Sequence, residues 1–340
     1  MEKIKERLKS LCALGTVSGH ERLIDVLTGE EKAFLDKIEY DKIGSLLLVK
    51  KSNKPNAKKI LIDAHIDIVG FMVTEVLEGG FLRFVNIGGL DTRVLPSTHV
   101  CVFGKEKING VITSTPPHLR VGGVKVPKIE ELLIDTGIPT DELKELVSIG
   151  DIAMYKPYFT ELQNNYVCAV GLDDKSCACA ILDFITSVDK GELEYDVYAS
   201  LSAQEETGKC GPARLAFDID PDIAITTDVN FASGEGIKER ESIECEKGAS
   251  VDISSLTNRS LTRNIIKLLK DKGIEFQLVC EPSYTGTNND ALSISGKGIR
   301  TALMSIPLKA MHSPSEIVNL KDIKSLSRML KAVCCAKELL

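Results

Sequence analysis

The sequence predicts an α/β fold in which helices flank a mixed, mostly parallel sheet and a small β-barrel domain is inserted into the chain. Two observations predict this architecture. After Asn164, strand patterns alternate with helical patterns, which is typical of a parallel sheet with helices on both faces. Between Ile68 and Phe159 the pattern changes to short strands separated by turns rich in Gly and Pro. The length of 340 residues is sufficient for two domains.

The segment before the insertion contains helical patterns followed by strands. The helical patterns extend from about Glu2 to Leu35. Strands are predicted for Ser45–Val49 and Lys59–Asp63, on either side of a polar turn that contains a proline. The second strand leads directly into His65 and Asp67, so two polar side chains follow an apolar segment.

The inserted segment is dense in predicted strands. They cover Gly70–Val76, Phe81–Val85, His99–Phe103, Gly110–Ser114 and Asp151–Tyr155. Two stretches within it have a helical pattern, Lys128–Leu133 and Asp141–Val147. We therefore predict a β domain for residues 68–163, and a discontinuous α/β domain for residues 1–67 and 164–340.

The segment after the insertion returns to alternation. Strands are predicted for Asp196–Ser202, Ile223–Thr227, Phe276–Val279 and Thr301–Ile306. Helices are predicted for Ser176–Val188, Ser260–Lys272 and Leu320–Leu339. Since parallel strands need a crossover between them, these helices are expected to connect neighbouring strands of one sheet.

The composition argues against several kinds of partner. The net charge is -7 and no long basic run occurs, which disfavours nucleic acid and anionic membranes. The N-terminal stretch MEKIKERLKSL is charged and helical in pattern, unlike a signal peptide, and no apolar run is long enough to span a membrane. The ten cysteines include no C-x-x-C pair, which indicates reduced thiols. We therefore expect a cytoplasmic protein.

Polar side chains cluster where predicted strands end. The stretches are Asp63–Asp67, Gly171–Lys175, Glu205–Glu206, Thr227–Asp228 and Ala310–Ser313. Taken one at a time, each has an ordinary structural explanation, such as a helix cap at Asp173 or a hydrogen-bonded loop histidine at His312. Sheets of this class bind ligands outside the carboxyl ends of their strands. The joint placement of the five stretches therefore predicts one site.

The residue types indicate a metal centre. The histidines are His65 and His312, and the carboxylates are Asp67, Asp173, Glu205, Glu206 and Asp228. Such a mixed set suits zinc, cobalt or manganese. Because a catalytic ion takes about three protein ligands, five or six ligands predict two ions roughly 3.5–4 Å apart, bridged by one carboxylate. Asp67 lies two residues after His65 on an extended chain, so its carboxylate is expected to orient the imidazole.

The adjacent pair Glu205 and Glu206 has a natural explanation at such a centre. Neighbouring residues of an extended chain point in different directions. One glutamate can therefore bind metal while the other faces the nucleophilic water as a general base. The spacing alone does not decide which glutamate has which role.

The strand-end stretches belong to longer motifs. These are TVSGHE, AHIDIVGFMV, TPPHL, VSIGDIAMYKP, GLDDKSCACA, SAQEETGKCGPARLA, ITTDVN, TGTNNDA and IPLKAMHSPSEIV. Together they resemble the tetrahedral aminopeptidases of metallopeptidase family forty-two, from one end of the chain to the other. The resemblance implies a di-zinc aminopeptidase fold and the release of N-terminal amino acids from peptides. It also implies two divalent ions per chain, zinc or cobalt, with manganese as an alternative.

The same resemblance implies a role for each residue of the site. The metal ligands would be His65, Asp173, Glu206, Asp228 and His312. Asp173 would bridge the two ions, whereas Asp228 and His312 would bind opposite ones. Glu205 would be the general base, and Asp67 would orient His65. A cis peptide bond is expected after Asp173.

The resemblance also implies an assembly, with some departures from the family pattern. The inserted domain would be PDZ-like and form a dimer contact, and dimers would build a tetrahedral dodecamer. Ile68 stands where many members have Glu, Lys175 where Arg is usual, and Asn288 where Asp is common. None of the three is an expected metal ligand, so ligation should persist while metal preference and specificity could differ.

Other functions stay open at this point. An endoglucanase needs two carboxyl groups on either side of a sugar bond, which the adjacent Glu205 and Glu206 are poorly placed to provide. A metal-dependent deacylase or carboxypeptidase on a related fold would use similar ligands, and an inactive assembly would not need Glu205. His118, in the inserted segment, is interpreted as a turn or interface residue.

Overall fold

The chain forms a large mixed sheet with helices against it and a closed β-barrel between two of its segments. The structure, a computed structural model, describes residues 1–21, 26–116, 126–234, 236–238, 242–337 and 339. Its strands in the first half are β1 (Lys37–Tyr40), β2 (Leu46–Lys50), β3 (Lys59–His65), β4 (Gly70–Leu77), β5 (Phe81–Ile87), β6 (His99–Phe103), β7 (Lys107–Ile112), β8 (Leu133–Asp135) and β9 (Ile152–Tyr155). The later strands are β10 (Phe159–Glu161), β11 (Tyr166–Ala169), β12 (Asp196–Ser202), β13 (Ile223–Phe231), β14 (Ser250–Ser254), β15 (Gln277–Glu281), β16 (Arg300–Leu308) and β17 (Glu316–Asn319).

The helices are amphipathic or wholly buried. They are α1 (Glu2–Cys12), α2 (Gly29–Ala33), α3 (Thr140–Leu146), α4 (Leu172–Ile185), α5 (Cys210–Ile219), α6 (Arg259–Asp271), α7 (Asn289–Ser293) and α8 (Leu320–Cys334). Helix α8 therefore ends earlier than the predicted Leu339, and α5 was not predicted. Of the predicted helical patterns near the N-terminus, residues 22–25 lie outside the described part of the chain.

The large sheet has eight strands in the order β1-β2-β12-β3-β13-β16-β14-β15. The central strands β12, β3, β13 and β16 are parallel, so their carboxyl ends lie along one edge. The pairs β1–β2, β2–β12 and β14–β16 are antiparallel. The predicted mixed, mostly parallel sheet is therefore confirmed, and the parallel strands gather the polar residues that follow them.

Helix α4 is the centre of the main core. Each of its residues is buried, as expected for a helix that packs on all sides. It contacts α1 and α8 as well as the strands β3 and β13. Gly171, just before it, has a φ of +73° and would place a Cβ only 2.8 Å from Ile68 Cγ2. This close approach fixes the start of α4, and with it Asp173, against the sheet.

The inserted segment forms the predicted β-barrel. Six strands close it in the order β4-β5-β8-β7-β6-β9. Inside, the Phe71 ring meets Phe84 and Tyr155 edge-on, with centroids 5.1 and 5.5 Å apart. The helix predicted for Lys128–Leu133 is wrong: only Ile129–Glu131 make one 3₁₀ turn, and β8 follows. The reason is the alternation of β8, which buries Ile134 between two partly or fully exposed neighbours.

A third sheet joins the end of the insertion to the rest of the chain. Its strand order is β10-β11-β17, and all its pairs are antiparallel. The strands of the barrel lie between Gly70 and Tyr155. The domain boundary at residue 163 stays a prediction, since β10 pairs with β11 just beyond it.

Two further features concern the whole molecule. Within the described ranges, no helix is long and apolar enough to cross a membrane. All ten cysteines are free thiols, and burial raises the pKa of Cys12 to about 12. Such a thiol behaves as a small apolar side chain in the core.

Candidate metal centre

The carboxyl edge of the parallel strands positions the candidate residues. His65 is the last residue of β3, and Asp228 lies in β13. Asp63 pairs with Thr226 across these two strands, so His65 and Asp228, each two residues further on, come level with each other. Glu205 and Glu206 follow β12, Asp173 begins α4, and His312 follows β16. The sequence-predicted residues therefore meet at one place.

The side chains form two groups that share one carboxylate. One group is His65, Asp173 and Asp228; the other is Asp173, Glu206 and His312. In each group the potential ligand atoms lie within 4.8 Å of one another. Asp173 Oδ1 is 3.1 Å from His65 Nε2, and its Oδ2 is 3.2 Å from His312 Nε2. A carboxylate that uses one oxygen on each side is the arrangement expected of a bridging ligand.

The remaining distances between candidate ligand atoms are below 4 Å. His312 Nε2 is 3.2 Å from Glu206 Oε1, and His65 Nε2 is 3.8 Å from Asp228 Oδ1. His65 is 2% exposed, whereas the His312 side chain is 32% exposed. One group is therefore buried and the other faces the open side of the site.

The acidic surroundings favour positive charge at the two imidazoles. Burial lowers the pKa of His65, but the hydrogen bond to Asp173 and the charge of Asp228 raise it well above its usual range. Burial likewise opposes the bonds of His312 to Asp173 and Glu206, which raise its pKa to about 11. The same two imidazoles hold the pKa of Asp173 well below its usual range against the effect of burial. A divalent ion bound between these carboxylates would supply the positive charge in place of the imidazole protons, and the nitrogen and oxygen donors suit a borderline cation.

Asp67 lies beside His65, but its carboxylate has another function as well. His65 Nδ1 is 2.9 Å from the carbonyl oxygen of Asp67 and 3.7 Å from Oδ1. The carboxylate instead accepts the backbone N–H of Glu205 at Oδ1 (3.0 Å) and of Glu206 at Oδ2 (3.1 Å). The Asp67 carboxylate therefore holds the glutamate pair in place. The expected orienting of His65 by Asp67 comes mainly from the Asp67 carbonyl oxygen.

The two glutamates have different environments. Glu206 contacts His312, whereas Glu205 Oε1 is buried, has no hydrogen-bond partner among the described residues, and lies 3.9 Å from Lys209 Nζ. Burial and the charge of Glu206 raise the pKa of Glu205 to about 7, against the attraction of His65. A carboxylate with this pKa and a free oxygen can take up and release a proton near neutral pH.

Glu316 is a residue of the site that the sequence reasoning missed. Its Oε1 accepts the backbone N–H of His312 at 2.8 Å, and its Oε2 accepts that of Asp173 at 3.2 Å. Glu316 is 3% exposed, and burial together with the charge of Asp173 raises its pKa to about 8. One side chain therefore connects the shared carboxylate with a histidine of the second group. Its position four residues after His312, inside the same motif, was the available signal.

Behind His65 lies a buried polar network that includes one departure from the family pattern. Asn288 Nδ2 donates to Asp63 Oδ2 at 2.7 Å and contacts Ser202 Oγ at 3.0 Å. Ser200 also donates to Asp63, which is fully buried. Burial raises the pKa of Asp63, and these donors oppose the shift. Asn288 therefore stabilises a carboxylate two residues from His65.

The other departures and expectations have these outcomes. Lys175 is fully buried, and its Nζ donates to the carbonyl oxygen of Leu14 at 3.0 Å. Ile68 packs in the core of the barrel. The peptide bond between Asp173 and Asp174 is cis, which confirms that expectation. His118 lies outside the described residues.

Comparison with known sequences is consistent with this chemistry. The family pattern described as M42 glutamyl aminopeptidase matches residues 44–329. A lysyl aminopeptidase from Pyrococcus furiosus is 32% identical over 340 residues, which cover 96% of this chain and 96% of the relative. The similarity thus extends across both the sheet and the barrel.

Two solved structures share the fold along almost the whole chain. An aminopeptidase from the archaeon Desulfurococcus kamchatkensis has a TM-score of 0.91 at 28% identity, covering 98% of this chain and 94% of that one. The TET1 peptidase of Pyrococcus horikoshii has a TM-score of 0.86 at 31% identity, covering 97% and 99%. The latter protein can assemble into a tetrahedron or a large octahedral shell.

The Asn288–Asp63 contact can be tested by Asn288→Ala. The substitution leaves a buried carboxylate oxygen short of a donor, so the free energy of unfolding should fall by about 1–3 kcal/mol. Asn289→Ala is a matched control, because Asn289 is equally buried but its side-chain atoms have no hydrogen-bond partner among the described residues. Urea unfolding followed by circular dichroism measures both. Equal losses in the two variants would contradict the assigned contact.

Proposed function

The chain belongs to the M42 glutamyl aminopeptidase family, and we propose that it is a two-metal aminopeptidase that releases N-terminal amino acids from peptides. The observation that carries this proposal is the shared carboxylate of Asp173, which has one oxygen toward each histidine, beside Glu205, whose Oε1 has no hydrogen-bond partner among the described residues. Family membership shows a peptidase, as its motifs predicted, and implies the use of divalent metal. The number of ions and the roles below are our proposal.

The described side chains can accommodate two ions. His65 and Asp228 would hold one, Glu206 and His312 the other, and Asp173 both. Zinc or cobalt fits the mixed nitrogen and oxygen donors, and manganese is an alternative. When bound, such ions polarise the scissile carbonyl and lower the pKa of water. The close packing of the donor atoms within each group supports this assignment.

The protein groups supply the proton transfers. Glu205 Oε1, which has no hydrogen-bond partner in the described part of the chain, would accept a proton from the attacking water as the water oxygen bonds to the scissile carbonyl carbon, before the carbon–nitrogen bond breaks. The same carboxyl group would then give that proton to the nitrogen of the departing peptide. Asp67 would hold Glu205 in position by accepting a hydrogen bond from its backbone N–H. The different contacts of Glu205 and Glu206 support their assignment as general base and metal ligand, respectively.

The alternatives are less well supported. A glycosidase would need two carboxyl groups about 5–9.5 Å apart across a sugar, and would leave His65 and His312 without a role. No contact among the described residues favours a deacylase or a carboxypeptidase. The names of the family and of its relative mention glutamate and lysine, whose charges are opposite, so names alone do not indicate a substrate.

We also propose that the chain is a homo-oligomer in which the barrel forms the dimer contact and dimers build a dodecamer. The assembly of the related TET1 peptidase supports this proposal. The barrel segment exposes apolar side chains that a contact would cover, including Met72 (37%), Val85 (41%) and Ile149 (74%). A cytoplasmic location stays a prediction.

Release of amino acids tests the function directly. The protein should liberate one residue at a time from the free N-terminus of a peptide, and leave an N-acetylated copy intact. A chelator should stop the reaction, and added zinc or cobalt should restore it. Cleavage of the acetylated peptide, or of its C-terminal residue, would contradict an aminopeptidase.

Substitution of each glutamate in turn distinguishes the general base from the metal ligand. Glu205→Gln should retain metal but lose roughly 10²–10⁴-fold in kcat, because an amide cannot accept the proton of water. Glu206→Gln should instead lower metal affinity, so that activity partly returns at high metal concentration. Metal content by elemental analysis and steady-state kinetics give the two readouts. Metal loss in Glu205→Gln, with full metal content in an inactive Glu206→Gln, would reverse the assignment.

The assembly is tested by light scattering after gel filtration. The wild type should have a mass several times the 37.1 kDa of one chain. Ile149→Glu should reduce that mass, because it places a charge in the proposed contact. Ile294→Glu, at a similarly exposed isoleucine outside the barrel, should not. A wild type that stays monomeric at all concentrations would refute the proposal.

A further inference from the structure

A cavity beside the candidate metal centre contains a carboxylate that the mechanism does not use. The cavity has a volume of about 260 Å³. Both ligand groups line it, and so do Asn230, Glu281 and the loop Thr285–Thr287. Glu281 is the last residue of β15, the edge strand of the sheet beside β14. It therefore lies in the cavity that a substrate of the metal centre would enter.

The carboxylate of Glu281 is only partly satisfied. Its Oε1 accepts Asn230 Nδ2 at 3.0 Å, whereas its Oε2 is buried without a hydrogen-bond partner in the described ranges. Asp252 lies behind it, fully buried, and is held by Ser250, Ser305 and Asn230. Burial and repulsion by Asp252 raise the pKa of Glu281 to about 7. A buried carboxylate of this kind is stabilised by a nearby cation.

No side chain described along the cavity supplies that cation. The described lining contains His65 and His312 but no lysine or arginine. Two divalent ions at the metal centre would compensate the carboxylates that bind them. Glu281 and Asp252 belong to neither ligand group, so neither carboxylate would bind these ions directly. Both contact Asn230 of β13, two residues after Asp228.

The distance along β13 indicates which part of a substrate would reach Glu281. Asp228 and Asn230 lie on one face of the strand, roughly 7 Å apart along it, and Glu281 is one hydrogen bond beyond Asn230. The α-amino nitrogen of a substrate is two bonds from the scissile carbonyl carbon, so it must stay near the ligands. A long side chain, in contrast, can extend to Glu281. Phe231 and Met311 also line the cavity and can pack against its methylene groups.

We propose that Glu281 is a specificity-determining residue that binds the cationic side chain of an N-terminal lysine or arginine. The inference rests on the proposed aminopeptidase function and specifies its substrate class. The free Oε2 would accept the ammonium or guanidinium group, while Asn230 holds Oε1 in position. An N-terminal glutamate would be repelled at the same point.

The test compares two side chains with the same carbon skeleton. Lysyl and norleucyl anilides share the four-carbon stem, and only lysine carries an ammonium group at its end. The wild type should have a kcat/KM for lysine at least roughly tenfold above that for norleucine, and Glu281→Gln should lower this ratio by about 10–100-fold. Glu275→Gln, at an exposed carboxylate just before β15, should retain the wild-type ratio. Inhibition by free lysine relative to free norleucine gives a second readout that does not depend on turnover.

The outcomes separate this inference from the function on which it rests. If the wild type prefers norleucyl or glutamyl substrates, Glu281 does not bind a cationic side chain, although the chain is still an aminopeptidase. If Glu281→Gln lowers activity on both substrates equally, the residue acts on a common feature such as the α-amino group, and the inference is wrong. If no substrate is cleaved at saturating zinc or cobalt, both the proposed function and the inference fail.

Discussion

Concentrated negative charge at one edge of a sheet is the constraint that governs this molecule. Buried carboxylates are costly unless donors or cations compensate them. The chain meets part of this cost with its own groups: two histidines for Asp173, two backbone amides for Asp67, two more for Glu316, and an asparagine with serines for Asp63. The negative charge that these donors do not compensate would favour the binding of a metal ion. The fold can hold this arrangement because parallel strands end together and helix α4 is anchored in the core behind them.

The candidate ligands could be predicted from sequence because each lies near the carboxyl end of an apolar strand, and strand ends are local features of the chain. Glu316 and Asn288 could not be predicted in the same way, since their roles depend on contacts across the fold. Asn288 reaches Asp63 from 225 residues away. The turn at Ile129–Glu131 and strand β8 were mistaken for a helix because a short apolar run fits both periods. The alternation of Leu133–Asp135 becomes decisive only once the barrel closes around it.

The two sides of the sheet have different tasks. The parallel strands present the groups that would carry out hydrolysis, in positions set by strand register. Strand β15 presents Glu281 to the same cavity, and β14 carries Asp252 behind it. Glu281 and Asp252 belong to neither ligand group, so a substitution at Glu281 leaves the candidate ligands themselves unchanged. This separation is consistent with a family whose members carry the names of oppositely charged amino acids.

The position of the barrel in the chain has a consequence for folding. The polypeptide leaves the large sheet at His65, the end of β3, and passes through the barrel before it reaches Asp173 at the start of α4. The contact between His65 and Asp173 therefore spans 108 residues. If that stretch were a flexible loop, bringing the two ends together would cost considerable chain entropy. In the folded barrel, the first strand β4 pairs with the last strand β9, with Phe71 opposite Ala153. The two ends of the inserted segment are therefore held close together. A folded inserted domain therefore reduces the chain entropy that is lost when the segment with His65 meets the segment with Asp173.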